Sequence, residues 1–194
     1  MDKVETTLNT QHGSFTIVCY TGTQREPDFA LVHGDVSGKA EVLTRIQSEC
    51  LTGHVFKSLS CDCYEQLQDA LELLTAAPEG ILIYLRQEGR GIGLAAKLRS
   101  YVLQKQGLDT VDANLHLGFK VDERQYDEAA AILRDLSVES VCLITNNPKK
   151  AASLESSGIP VSSCIPLPPK IRDQNRKYLK TKVERMGHTF EVTD

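Results

Sequence analysis

Apolar and polar residues alternate across positions 8–20 around Gly13, as they do in a β-hairpin, and 29–32 and 42–46 are two further short apolar runs. The period then changes. Leu67, Ala70, Leu71 and Leu74 fall at i, i+3, i+4 and i+7, one face of an amphipathic helix that must stop before Pro78 and Gly80. Residues 80–85, Gly-Ile-Leu-Ile-Tyr-Leu, form an uninterrupted apolar run suited to a strand buried on both faces. A glycine loop, Gly89-Arg90-Gly91-Ile92-Gly93, leads into a helix predicted over 94–106, with Gly107 as its C-terminal cap. A helix over 126–136 precedes a strand over 140–144. Asn147 and Pro148 then suit the N-cap and first position of a helix ending at Gly158. A last helix, 174–186, sets Tyr178, Leu179, Val183 and Met186 on one side and Arg176, Lys177, Lys180, Lys182 and Arg185 on the other. The second face reads as solvated rather than as a polyanion site.

Strands that alternate with helices imply parallel βαβ units with right-handed crossovers, whereas the first fifty residues read as antiparallel. The expected fold is therefore α/β: a three-layer αβα arrangement on a mixed sheet, antiparallel N-terminal strands followed by parallel βαβ units. A chain of 194 residues is expected to form a single domain spanning 1–194. Hydrophobic residues at 41% and charged residues at 25% exclude intrinsic disorder. No apolar run is long enough to span a bilayer and the N-terminus lacks an export signal, so a cytoplasmic protein without a membrane partner is expected. The net charge of −4 argues against a nucleic-acid binder with a broad basic face.

Six cysteines without an export signal are not expected to form disulfides. Cys19, Cys142 and Cys164 stand singly in β-like runs, where a thiol is expected to be a small buried hydrophobe. Cys50, Cys61 and Cys63 are grouped. Three protein ligands leave a zinc ion a fourth position for water, whose pKa falls to about 7, as in catalytic sites. His54 as a fourth ligand would instead close a structural site, and unrelated buried thiols are the third reading.

Four further features suit a phosphorylated substrate. Gln87-Glu88-Gly89-Arg90-Gly91-Ile92-Gly93 lies between a buried strand and a helix, where backbone N–H groups and the helix dipole favour anions. Thr145 to Lys150 repeats that arrangement with two lysines. Asp122-Glu123-Arg124 offers a carboxylate beside a guanidinium, and Arg45 and Glu49 lead directly into Cys50.

Seven blocks together resemble the GTP cyclohydrolase II family, in order and over nearly the whole chain: Arg45-Ile46-Gln47-Ser48-Glu49-Cys50-Leu51-Thr52-Gly53; Ser60-Cys61-Asp62-Cys63; Arg86 to Leu94; Asp109-Thr110-Val111-Asp112-Ala113-Asn114; Leu117-Gly118-Phe119 with Asp122-Glu123-Arg124; Thr145 to Lys150; and Met186-Gly187-His188. The resemblance implies the first step of riboflavin synthesis, in which the GTP imidazole ring is opened with loss of formate and pyrophosphate. The product would be 2,5-diamino-6-ribosylamino-4(3H)-pyrimidinone 5′-phosphate. It further implies catalytic zinc on Cys50, Cys61 and Cys63, and magnesium with the substrate phosphates. GTP would be bound by Arg45, Ile46, Gln47, Ser48, Glu49, Gln66, Glu88, Gly89, Arg90, Thr110, Thr145 and Lys150. Tyr101 would lie by the purine, Asp122 would accept a proton, and Arg124 would act as nucleophile at the α-phosphate; a homodimer is implied. Gln47 stands where the family usually has His, and Tyr64 where it usually has Gly, a residue that would be strained if that backbone needs φ > 0. Two other functions compatible with these residues are a relative that stops at the formamide stage or opens another purine nucleotide, and a zinc-stabilised nucleotide-binding module without turnover.

Overall fold

A computed structural model describes residues 2–21 and 27–192. They gather into two compact units: residues 1–47, 67–86 and 126–167 in the first, and 48–66, 87–125 and 168–194 in the second.

The first unit is built on the sheet. β1 (Lys3–Thr10) and β2 (Gly13–Tyr20) form the hairpin, paired from Lys3↔Tyr20 to Thr10↔Gly13, so it starts five residues earlier than the apolar alternation indicates. β3 (Phe29–His33) is antiparallel to both β2 and β5 (Gly80–Leu85). β4 (Val42–Ser48) is parallel to β6 (Val141–Ile144), which is parallel to β7 (Val161–Ile165). The strand order is β1-β2-β3-β5-β4-β6-β7, a mixed sheet with antiparallel pairs first and parallel ones after.

Side chains that alternate along each strand face two cores. On one face Phe15, Leu31, Leu82 and Ile144 pack with Ala70, Leu71 and Leu74 of the helix α2 (Cys63–Ala76). On the other, Val18, Ala30, Ile81, Ile83 and Leu143 pack with Ala129, Ile132 and Leu133 of α5 (Asp127–Asp135) and Leu154 of α6 (Pro148–Ser156). Helices thus cover both faces, the three layers expected. Asn147 caps α6, its side chain accepting from the Lys149 N–H, with Pro148 in the first turn.

The second unit is helical. It contains α1 (Leu51–His54), the first turn of α2, a 3-10 turn over Glu88–Gly91, α3 (Gly93–Lys105), α4 (Thr110–His116) and α7 (Asp173–Met186). α4 is capped by Asp109, whose carboxylate accepts from the Val111 and Asp112 N–H groups at 2.7 and 2.8 Å. The basic side of α7 finds carboxylates within this unit: Arg185 meets Asp109 and Asp112, Lys182 meets Asp62, and Arg176 meets Asp173. Among the described residues no helix is long and apolar enough to cross a membrane.

One expectation needs correction, and one conditional reading is settled. Cys164 is exposed, and Cys19 and Cys142 are only half-buried. β7 is an edge strand whose residues from Ser162 to Ile165 are all exposed, so a β-like run there does not bury its thiol. Tyr64 carries no left-handed strain. It is the second residue of α2, outside the set of positive-φ residues, and its ring lies under the Lys57 ammonium at 4.8 Å.

Candidate metal centre and nucleotide-binding residues

Cys50 is the N-cap residue of α1, Cys61 ends the following loop and Cys63 begins α2. Their sulfurs lie within 4.8 Å of one another, and among the described residues these three alone form a cluster able to hold a metal. Gly53 explains how close they come. A Cβ there would sit 2.9 Å from the Cys63 Cβ and 3.1 Å from the sulfurs of both Cys50 and Cys61, so only glycine leaves the room. Gly53→Ala is therefore expected to lose most of its bound metal. Zinc content after dialysis measures this, and a full equivalent retained by the variant would show that the loop can yield.

The donor set fits a zinc ion: three soft sulfurs, two of them buried, with no fourth side chain from the cluster. His54 is outside it. The His54 Nδ1 accepts from the Cys50 N–H at 3.3 Å, and burial lowers the pKa of its ring. Hydrogen bonds from the Cys61 and Cys63 thiols, with the Lys97 ammonium, hold Cys50 far below the usual thiol range. The same coupling pushes Cys61 up to about 11 and raises Cys63. Among these sulfurs it is Cys50 that a cation faces.

That cation was not evident from the motifs. Lys97, on α3, is buried and donates to Cys50 Sγ at 3.1 Å, Thr52 Oγ1 at 2.9 Å and Glu88 Oε1 at 2.8 Å. Burial opposes its charge, but the Cys50 thiolate and Glu88 outweigh that and raise its pKa. One turn later on the same face, the Tyr101 hydroxyl lies 3.4 Å from Thr52 Oγ1. The available sequence signal was a lysine four residues before Tyr101, amid Leu94, Ala95, Ala96 and Leu98. Burial raises the Tyr101 pKa, so its phenol is a proton donor at neutral pH.

The glycine turn and the loop 117–125 stack on each other. Gly91, at φ +90°, leaves space that a Cβ would close against the Glu123 backbone at 3.0 Å, and the Glu123 N–H donates to Arg90 O at 3.0 Å. The Gln87 amide clamps the Gln125 backbone in both directions, at 2.7 and 3.0 Å. Arg90 adopts left-handed φ 63°, and its two terminal guanidinium nitrogens are buried without a hydrogen-bond partner. The guanidinium lies over the Tyr178 ring at 5.7 Å. Glu88 accepts from the Leu51 N–H at 2.6 Å and from its neighbour Gly89 at 2.7 Å, as well as from Lys97, which ties the glycine turn to the segment that carries Cys50.

Arg124 grips Asp122 through Nε and Nη2 at 2.8 and 2.6 Å. Burial alone would push the Asp122 carboxyl up, but the Arg124 fork and the Arg90 charge hold it below the usual range. A folded-state pKa below the unfolded value stabilises the protein above about pH 4 and loses that contribution as pH falls through the depressed value. Asp122→Asn should therefore lower the urea midpoint at pH 7, and the gap should close below about pH 4. Equal midpoints at neutral pH would contradict the pairing.

Also in the second unit, Thr110 and Gln66 are buried, and Gln66 Nε2 donates to Pro168 O at 3.3 Å; Ser48 and Glu49 are partly buried. Buried Asp62, between two of the cysteines, pairs with Lys182 at 3.7 Å.

In the first unit, the remaining expected residues gather at the carboxyl ends of β4 and β6, where parallel sheets bind ligands. Gln47 Oε1 accepts from Arg45 Nε and Nη2 at 3.1 and 3.0 Å, while Arg45 Nη1 donates to Ile144 O at 3.0 Å. Lys150 donates to Ile46 O at 2.6 Å, and Thr145 Oγ1 accepts from the Asn147 N–H at 3.0 Å. An amide oxygen at position 47 thus accepts two bonds from one guanidinium.

The family model described as GTP cyclohydrolase II matches residues 2–166. GTP cyclohydrolase-2 of Picrophilus torridus is 50% identical over 185 residues, 94% of this chain and 95% of its own. GTP cyclohydrolase-2 of Aeromonas hydrophila is also 50% identical, over 95% and 94%. Riboflavin biosynthesis protein RibBA of Bacillus subtilis is 50% identical over 96% of this chain; the match covers 47% of that longer protein.

Proposed function

Because the chain belongs to the GTP cyclohydrolase II family, a family of hydrolases, we propose that it opens the imidazole ring of GTP and releases formate and pyrophosphate. The product is 2,5-diamino-6-ribosylamino-4(3H)-pyrimidinone 5′-phosphate, which places the protein at the first step of riboflavin synthesis. The observation that carries this reading is the trio of sulfurs from Cys50, Cys61 and Cys63 drawn together over Gly53. Cys50, Cys61 and Cys63 would hold a zinc ion there, which would supply Lewis acidity and lower the pKa of a bound water.

The chain's own residues divide the remaining work. The Tyr101 phenol donates a hydrogen bond as negative charge builds on the opening ring. Asp122, held ionised, accepts a proton from attacking water. Arg124 is protonated and engaged with a carboxylate, which suits it to stabilise charge on the α-phosphate rather than to attack phosphorus. Arg90 offers two unsatisfied nitrogens to anionic oxygens. Glu88 and Gly89 shape the turn that presents it, and Gln66, Thr110, Ser48 and Glu49 complete the contacts of the second unit. In the first unit Arg45, Ile46, Gln47, Thr145 and Lys150 contribute nucleotide contacts. Magnesium accompanies the phosphates, as hard oxygen ligands favour, and the working form is a homodimer in the cytoplasm.

Incubation of metal-analysed protein with GTP and magnesium tests this. Formate and pyrophosphate should appear together in equal amounts. Retention of the formyl carbon on the product would indicate the truncated reaction, and GTP returned intact would indicate a binding module.

A further inference from the structure

Lys97 is a buried ammonium of the second unit that touches a cysteine of the cluster, and it does so through a fully formed set of contacts. Its three donors are directed to Cys50 Sγ, Thr52 Oγ1 and Glu88 Oε1, an ammonium's complete complement. Glu88 is itself immobilised by the Leu51 and Gly89 N–H groups. The ammonium therefore has a defined position.

Charge accounts for why a cation belongs there. Three thiolates and a divalent ion sum to one net negative charge, and burying that charge is costly unless it is compensated. Lys97 sets a positive charge against the sulfur of Cys50, where it meets that negative charge directly, and Glu88 holds the ammonium in place from its far side. We propose that Lys97 is a positioning residue of the metal centre: its ammonium hydrogen-bonds the Cys50 thiolate, places a positive charge against that sulfur, and links the metal–trithiolate group through Glu88 to the glycine turn that carries Arg90. The inference rests on the reading of Cys50, Cys61 and Cys63 as metal ligands.

An N–H···S bond lowers the energy of the sulfur lone pair. Removing it raises that lone pair and moves the sulfur-to-metal charge-transfer transition to lower energy. The test uses full-length protein loaded with cobalt(II) for the spectrum and zinc for affinity, by chelator competition. Lys97→Met keeps much of the volume and removes both donor and charge. It should bind zinc about 10–100-fold more weakly, as loss of an outer-shell partner does, and its cobalt charge-transfer band should shift to longer wavelength. Lys97→Arg, which retains charge and donors, should recover most of the affinity. Because Lys97 is buried, the half-buried and nearly isosteric Thr52→Val variant gives a second reading if Lys97→Met does not fold. It removes one anchor of the ammonium together with the Thr52 Oγ1 contact to Cys50 Sγ at 3.6 Å, and should shift the same band in the same direction.

A role confined to packing α3 would leave the band unmoved. An unchanged band and zinc affinity in Lys97→Met overturn the proposal; if that variant does not fold, an unchanged band in Thr52→Val does so. Failure of the unsubstituted protein to bind either metal would overturn the metal reading itself, together with this proposal.

Discussion

Cys61→Ser is expected to abolish formate release and to leave the protein without tightly held metal. A serine hydroxyl is not deprotonated at neutral pH and is a poor zinc ligand, so the variant keeps two of three thiolates around an ion that needs all three. The expected loss is at least about 10³-fold in kcat, since ring opening without metal-activated water loses its nucleophile at neutral pH. Metal content by mass spectrometry and formate release with GTP measure both effects. Metal lost with activity retained would remove the metal from the chemistry, and activity lost with metal retained would assign Cys61 another role. Cys164→Ser is the matched control, because that thiol is exposed on the edge strand and stands outside the cluster.

Arg90→Met is expected to move stability and function in opposite directions. The terminal nitrogens of Arg90 are buried without hydrogen bonds, which costs the free protein stability. Methionine there needs no such partners and can still pack on Tyr178; this gain outweighs losing the Arg90 charge, the smallest of the causes that hold the Asp122 carboxyl down, so the urea midpoint of the free protein should rise. Hydrogen bonds to charged groups are worth about 1.5–3 kcal/mol, so their loss should lower kcat/KM for GTP by roughly 10–100-fold. Loss of both stability and kcat/KM would make Arg90 a packing residue. Unchanged kcat/KM would remove it from substrate binding.

The core of the first unit was legible in the sequence because each element meets one continuous apolar surface. β5 was read to the residue, since a run buried on both faces has no polar position to blur its ends. α6 was read from Asn147 and Pro148, whose local chemistry suffices to start a helix. The elements missed were α1 and α4, and β7 was read as a β-like run but with its thiol inside. α1 is a single turn, α4 has seven residues, and β7 is an exposed edge with serines at its centre, so none carries a periodic apolar signal. Cys164 was expected inside because a β-like run does not show that it lies at a sheet edge, and the condition on which Tyr64 would be strained is not met because that residue lies in the first turn of α2.

The sequence alone determined the three cysteines, the capped helix start, the glycine turn and the Asp122–Arg124 pair, because each is a short-range pattern whose residue types carry the chemistry. Only the tertiary structure decided that His54 stays out of the sulfur cluster, that Gly53 makes room for it, and that Lys97 supplies its counter-charge. Those outcomes depend on distances between segments up to 47 residues apart in the chain, and linear spacing does not encode such distances. A buried charge is stable only where partners from other segments converge on it, and packing decides where that is.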